Sequence, residues 1–375
     1  MNRWRFRGTV GAALLALGLA LAPRAGAATV RIGVIGPYTG GSAAFGISMR
    51  EGVQLAADEL NAAGGIKGLG RIELAQADDE GKPDVSVSAM TRLVERDKVV
   101  AVIGPINSSN CLASMKVTQK AEIPQVTPVC ASPAITTQGN PFIFRTTLSD
   151  RRYAGQLAEF AVKTAGLKRF AILHDADDYG TDGATVFEQR LRELGSVPLV
   201  RERWNRGDKS FSAQLAKVKE SGADALLTWG LHTEIALVAK QARQLGITAR
   251  ILGGTGLATP KFIELGGEAV EGSLVTLLFV PDNPEPRVQE FVRRYQAKFN
   301  RRPDTFAAQA YDTTYLLAGA IERAGQTAGK AIRDVLLKAE HAGVTGPIVF
   351  DETGDRVRGL LVTVIKGGKF VPYGM

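Results

Sequence analysis

The sequence predicts an α/β protein built as two lobes, each a doubly wound parallel sheet. Short β-branched apolar runs alternate with helical patterns, and parallel strands joined by right-handed helical crossovers are the arrangement such alternation builds. The alternation runs through two successive series of about 120 residues each, which is two sheets rather than one large one. The 375 residues, 45% hydrophobic and 22% charged, exceed what one compact core holds and exclude a disordered chain.

The first series begins at Thr29. Val30–Ile35 reads as a buried strand and Gly46–Ala63 as a helix with apolar positions three and four apart, stopped by Gly64-Gly65. Arg71–Ala77 is the next strand and Val85–Arg96 the next helix. Val99–Ile103 is a strand closed by Gly104-Pro105, a helix starts at Ser108, and Ile123–Thr127 is a strand ending at Pro128. Pro141–Ser149 then has no turn residue after Pro141 and reads as a crossing between lobes.

The second series places strands at Arg169–Leu173, Asp224–Trp229 and Arg250–Leu252, with helices near 180–194, 211–220 and 233–245. Glu271–Val280 is a further extended run, followed by the breaker-rich PDNPEP at 281–286. Helical patterns at 285–299 and 304–324 lack a sheet of their own, so they are expected to pack back on the first lobe. The tail segments Ile348–Phe350, Leu360–Ile365 and Lys369–Val371 supply short strands for the hinge side. The expected lobes are therefore 28–147 with 279–348, and 148–278 with 349–375.

Residues 1–27 have the form of a signal peptide. Arg3, Arg5 and Arg7 precede an apolar run from Thr9 to Ala22, and Ala25-Gly26-Ala27 is a small-residue cleavage site. The run is shorter than the roughly 20 residues a spanning helix needs, which disfavours the alternative of a retained anchor. Cleavage after Ala27 removes four arginines and no acids, so a formal charge of +8 becomes +4. That mild excess makes no case for nucleic acid. Two cysteines exclude both a disulfide-stapled miniature and a four-thiolate zinc site.

Catalytic apparatus is not visible. No GxxxxGK[ST] loop occurs, since Ala331 follows Gly329-Lys330, and Gly33-Val34-Ile35-Gly36 is not GxGxxG. There is no GxSxG elbow and no HExxH pair. His174, His232 and His341 lie far apart and read as structural. Asp175–Gly180 has the outline of a calcium loop, but Tyr179 and Val186 occupy positions that need oxygen ligands. The better reading is a loop whose acids cap the following helix. No metal and no cofactor are expected.

Binding apparatus is visible. In open parallel sheets ligands sit beyond the carboxyl ends of the strands. Thr39–Phe45, Asn107–Asn110, Thr127–Ser132 and Asp175–Gly180 occupy such positions. Asn107-Ser108-Ser109-Asn110 opens a helix, where unpaired N–H groups and hydroxyls suit a carboxylate. The same residues serve equally as a plain N-cap.

Several stretches together resemble the periplasmic solute-binding proteins of branched-chain-amino-acid-type ABC importers, the leucine/isoleucine/valine-binding group. They are IGVIGPYTGGSAAFG (32–46), NAAGGIKG (61–68), VVAVIGPINSSN (99–110), IPQVTPVCASPAIT (123–136), FRTT (144–147), LHDADDYG (173–180) and AEHAGVTGPIVFDETGD (339–355). Their order and spacing carry the resemblance, which runs from Val30 to the C-terminus. It implies a type I periplasmic-binding-protein fold with three hinge crossings, and a cleft that closes on a ligand touching both lobes. It also implies permease subunits at the inner membrane as partners, a periplasmic location and a monomer. The alternative is a ligand-sensing periplasmic receptor domain of the same fold.

The resemblance assigns the carboxylate-binding serine to Ser108, beside Ser109, with backbone help from Val129. The cleft aromatic falls on Phe45 and the second-lobe tyrosine on Tyr179. Three positions depart from the pattern. Ala131 stands where amino-acid binders place a hydroxyl for the ligand ammonium, although Ser132 is adjacent. Thr255 replaces an acid, and Leu231 replaces an aromatic residue, with Trp229 nearby as a cleft wall or as buried core. A buried ammonium without acceptors costs several kcal/mol. The expected ligand is therefore a branched-chain amino acid or a related apolar or aromatic carboxylate, with the departures favouring one that lacks a charged amine. Cys111 and Cys130 lie beyond adjacent predicted strand ends in an oxidising compartment, and a disulfide between them is expected.

Overall fold

A computed structural model of the chain describes residues 29–374 together with Met1, so the expected signal peptide lies, apart from Met1, outside the described residues. The chain starts with β1 (Thr29–Gly36), α1 (Ala43–Ala62), β2 (Arg71–Asp78), α2 (Pro83–Glu95), β3 (Ala101–Ile103), α3 (Ser108–Lys120), β4 (Gln125–Thr127) and β5 (Ile143–Arg145). These strands form one parallel sheet in the order β2-β1-β3-β4-β5. Val30, Ile32, Val34 and Ile35 of β1 are all buried, as a central strand covered on both faces requires. Phe45, Met49 and Val53 put the apolar stripe of α1 against it.

The second series follows as α4 (Asp150–Lys163), β6 (Phe170–Asp175), α5 (Asp178–Glu193), β7 (Val200–Trp204), α6 (Ser212–Ser221), β8 (Ala225–Trp229), α7 (His232–Gln244), β9 (Arg250–Gly253), α8 (Pro260–Gly266) and β10 (Leu274–Leu277). The chain ends with α9 (Pro286–Phe299), α10 (Thr305–Ala324), α11 (Gly329–Leu336), β11 (Glu340–Gly343), β12 (Gly346–Val349), β13 (Leu361–Lys366) and β14 (Lys369–Pro372). The second sheet has the order β14-β13-β10-β9-β8-β6-β7, parallel from β7 to β10 and antiparallel across β13 and β14.

Several boundaries differ from the sequence reading for physical reasons. Pro141–Ser149 is not all crossing: Ile143–Arg145 pairs with β4 as the edge of the first sheet, and only the residues after it pass between lobes. The tail strands β13 and β14 extend the second sheet instead of lining the hinge. β7 has exposed Arg201 and Arg203 alternating with partly buried neighbours, so it carries no apolar run. The late helices do return to the first lobe. Gly52 of α1 lies so close to the Ala307 carbonyl of α10 that a Cβ there would come within 2.1 Å of it. Asp304 caps α10 by accepting from the N–H groups of Phe306 and Ala307, each at 3.0 Å. Such a cap contributes about 1 kcal/mol.

The crossings are tied to one another. Arg145, fully buried, donates to Asp355 through Nε at 2.5 Å and Nη2 at 2.7 Å. Arg356 donates to the carbonyls of Thr146 at 2.9 Å and Thr345 at 2.7 Å. Charge-assisted bonds of this kind fix the hinge strands relative to each other.

Candidate functional site

Phe45 lies in the first turn of α1 and is 1% exposed. Its ring packs on Phe306 of α10 at 4.6 Å and, across the cleft, edge-on to His232 of α7 at 4.7 Å. The two lobes are thus closed on each other at this point. Between them lies a narrow cavity of about 20 Å³, nearly filled by the side chains that line it in this closed arrangement. Its walls come from the carboxyl ends of strands in both sheets, where loops enter helices.

On the first-lobe side the cavity is bounded by Asn107 and Ser108 at the start of α3, by Val129 and Ala131 after β4, and by the aromatic rings of Phe45 and Phe306. Asn107 sits at the cap position of α3 with extended backbone, but its side chain makes no cap bond. It donates instead to Ser42 Oγ at 3.2 Å. The plain N-cap reading of this loop therefore fails, and the first-turn N–H groups keep the partial positive charge of a helix start. Ser108 Oγ accepts from the Ser132 N–H at 3.2 Å, which leaves its own proton to donate. Val129 is less suited to its expected part, because its N–H already donates to Thr127 Oγ1 at 3.3 Å.

On the second-lobe side the cavity is bounded by Tyr179 at the start of α5, Arg206 after β7, Leu231 before α7, and Thr255 and Gly256 after β9. The Tyr179 hydroxyl accepts from the Gly256 N–H at 3.0 Å and lies 3.4 Å from Thr255 Oγ1. Burial pushes the Tyr179 phenol well above its ordinary pKa, so it stays neutral. Asp177 caps α5 by accepting from Gly180 N–H at 2.8 Å, as the loop reading expects. Burial pushes the Asp177 carboxyl up to about 6, against the opposing pull of Arg206. Arg206 donates to Asp175 Oδ2 through Nη2 at 3.1 Å and also to Asp177.

Seven expected residues meet at this cavity: Phe45, Ser108, Val129, Ala131, Tyr179, Leu231 and Thr255. Three do not line it. Ser109, half-buried in the first turn of α3, is not among the cavity's lining residues. Ser132 is fully buried behind the wall, its hydroxyl turned to Asp182 and away from any ligand. Trp229 is also fully buried, its indole against Gly183, where a Cβ would come within 2.0 Å of Nε1. It is core and not cleft wall.

The expected disulfide is corrected as well. Cys111 and Cys130 are buried in one cluster but are free thiols. Cys130 Sγ donates to the carbonyls of Pro105 at 3.2 Å and Asn107 at 3.4 Å, while Cys111 Sγ accepts from Gln125 Nε2 at 3.6 Å. The two thiols are neighbours, and each also has a polar partner besides the other sulfur.

Sequence reasoning missed Arg206, Phe306 and His232. Arg206 follows the edge strand that carries no apolar run, and Phe306 comes from a helix that the chain returns only after building the second lobe. His232 was read as structural; it is 3% exposed, and its Nδ1 has no partner. Burial lowers its pKa to about 4, with Lys261 adding to the shift.

The chain matches the model of the periplasmic binding protein family over residues 29–369. It is 32% identical over 333 residues to a Leu/Ile/Val-binding protein homolog of Brucella melitensis, covering 88% of this chain and 89% of that protein. A leucine-binding protein from Thermotoga maritima superposes with a TM-score of 0.87 at 35% identity, covering 92% of this chain and 98% of the other. The isoleucine complex of a branched-chain amino acid transporter substrate-binding protein from Streptococcus pneumoniae gives 0.84 at 30%, covering 91% and 97%. With this fold, this interlobe cavity and these similarities, the chain belongs to the periplasmic binding protein family, and it is a solute-binding protein of the ABC-importer type, not an enzyme.

Proposed function

We propose that this solute-binding protein captures a small apolar or aromatic carboxylate lacking a charged amine. The carboxylate would sit at the start of α3, taking the Ser108 hydroxyl and first-turn N–H groups, with the apolar body between Phe45, Phe306 and Leu231. Tyr179 and Thr255 would face it from the second lobe.

One observation carries the reading. No carboxylate lines the cavity among the described residues, and the charged side chain that does line it is a cation, Arg206. Two acids beside Arg206, Asp175 and Asp177, are engaged by that same guanidinium. A ligand ammonium would meet a guanidinium and neutral hydroxyls, and an unpaired buried ammonium costs several kcal/mol. An uncharged apolar body costs nothing of the kind. Micromolar capture needs only about −8 kcal/mol, within reach of one bound carboxylate and a buried aromatic or aliphatic body.

The remaining parts of the reading follow from the family and the sequence. Residues 1–27 act as a cleavable signal peptide, and the mature chain is a periplasmic monomer that delivers its ligand to ABC permease subunits. The lobes run over 28–147 with 279–348, and 148–278 with 349–375, the limits that the two sheets and the packing of α10 on α1 support. Calorimetry on ligand-stripped protein tests the ligand class. Benzoate is expected to bind in the micromolar range or tighter and L-leucine at least tenfold more weakly; submicromolar leucine binding overturns the reading.

A further inference from the structure

Ser132 lies outside the cavity yet is held from four directions. Its N–H donates to Ser108 Oγ at 3.2 Å, and its carbonyl accepts from Arg145 Nη1 at 2.7 Å. Its Oγ accepts from the Ala134 N–H at 3.2 Å and donates to Asp182 Oδ2. These partners belong to different bodies. Ser108 opens the first-lobe helix at the cavity, Arg145 stands at the first crossing, and Asp182 is on α5 of the second lobe. Ser132 is 0% exposed, so water does not substitute for these partners.

A hydroxyl that accepts from an N–H still has one proton to donate. The Ser132 N–H occupies one lone pair of Ser108 Oγ and so fixes the direction in which that proton points. Ser132, in turn, is fixed on one side by the hinge arginine and on the other by a carboxylate from the second lobe. We propose that Asp182 is a positioning residue for ligand capture. On closure it takes the Ser132 hydroxyl and locks the 130–132 loop, and the loop holds Ser108 with its proton toward the ligand carboxylate. The inference rests on the reading of Ser108 as the carboxylate partner. Its consequence is that the ligand gains affinity for the closed state beyond its own contacts, which is the differential interaction that a population shift requires.

The test uses the mature chain with Asp182→Ala, Asp182→Asn, Ser132→Ala and the Ser132→Ala/Asp182→Ala double variant. Benzoate and L-leucine are the probes. Interlobe distance is read by spin labels on Lys67→Cys and Lys219→Cys, both exposed positions on opposite lobes. Asp182→Ala is expected to weaken the bound probe about tenfold, through faster release and not slower association, the loss of one charge-assisted bond. It is also expected to lower the closed fraction. Asp182→Asn, whose amide oxygen still accepts from Ser132, stays within about threefold. The double variant is no weaker than Asp182→Ala alone, because both substitutions break the same bond. A merely structural role would lower the melting temperature of ligand-free protein without this non-additivity.

Unchanged affinity and closed fraction in Asp182→Ala, or losses that add in the double variant, overturn the proposal. If the parent chain binds neither probe, the ligand reading fails by itself. The latch is then judged on the ligand-free distance distribution, where an identical open–closed balance in the parent chain and in Asp182→Ala overturns it.

Discussion

The indole Nε1 of Trp229 donates to Asp150 Oδ2 at 3.3 Å, and both side chains are fully buried. Asp150 Oδ1 has no partner. Burial pushes this carboxyl well above its ordinary range, against the opposing pull of Arg145 and the indole N–H. A raised folded-state pKa means that the folded chain holds this proton more tightly than the unfolded chain. The stabilising contribution is thus complete below the unfolded value near 3.8 and is lost as pH rises toward the folded value. Asp150→Asn keeps an oxygen for Trp229 and has no proton to lose. Its melting temperature is expected to fall less than that of the parent chain as pH is raised from 4 to 7. The difference in slope approaches, at most, about 1.4 kcal/mol per pH unit. Parallel melting curves across this range would show that Asp150 is ionised in the fold.

His232 titrates in the opposite sense. Its folded pKa of about 4 lies below the ordinary 6.5, so its contribution is complete above 6.5 and is lost as pH falls toward 4. The burial that lowers it includes the ring of Phe45 on the opposite lobe, so opening the cleft relieves part of the penalty. Ligand affinity is expected to drop about tenfold between pH 7.5 and pH 5, above the range where an aromatic carboxylate protonates itself. In His232→Phe, which cannot titrate, the drop should shrink to whatever Asp177, which titrates near 6 beside Arg206, contributes. Equal pH profiles for the two proteins, measured by calorimetry, would assign the pH dependence to another group.

The architecture was legible because a buried parallel sheet leaves a strong mark: every residue of Phe170–Asp175 and of Ala225–Trp229 is buried, and the apolar stretches within them are what place strands at Arg169–Leu173 and Asp224–Trp229 in the sequence. β7 was illegible because an edge strand needs only one covered face, and Arg201 and Arg203 fill the other. At the cavity, the loops bearing Phe45, Ser108 and Tyr179 were legible because each follows a predicted strand end, while the resemblance to the family singled out Phe45 and Tyr179 within them. The direction of a side chain was not. Ser132 and Trp229 sit one or two positions from cavity residues and point away, a choice set by Asp182 and by the space above Gly183. Phe306 reaches Phe45 only through the late return of α10, which no local pattern encodes.

The cysteines make a simple chemical expectation. Both are buried, and burial pushes the Cys130 thiol up in pKa, with Cys111 adding to the shift. A thiol that is neither exposed nor ionised reacts slowly. The native protein is expected to resist a thiol reagent, and unfolding in denaturant without reductant should release two reactive groups. Two unreactive sulfurs after unfolding would mean that the pair had been oxidised.

Selectivity against amines should be reversible by restoring an acceptor. Thr255 lines the cavity, beside the Tyr179 hydroxyl and next to Gly256, whose N–H that hydroxyl already holds. Thr255→Glu places a carboxylate on the second-lobe wall, and Ala131→Thr adds a hydroxyl on the first. Together they offer an ammonium the charge-assisted partners that the parent cavity lacks. Each such bond contributes roughly 1.5–3 kcal/mol, so L-leucine affinity is expected to rise by about ten- to a hundredfold. Benzoate should weaken at the same time, since the new carboxylate gains no partner from it and repels its charge. Calorimetry on the double variant reads both changes. Leucine binding that stays unchanged while the variant melts normally would mean that the ammonium does not lie against Thr255. The departure at that position would then have no part in choosing the ligand.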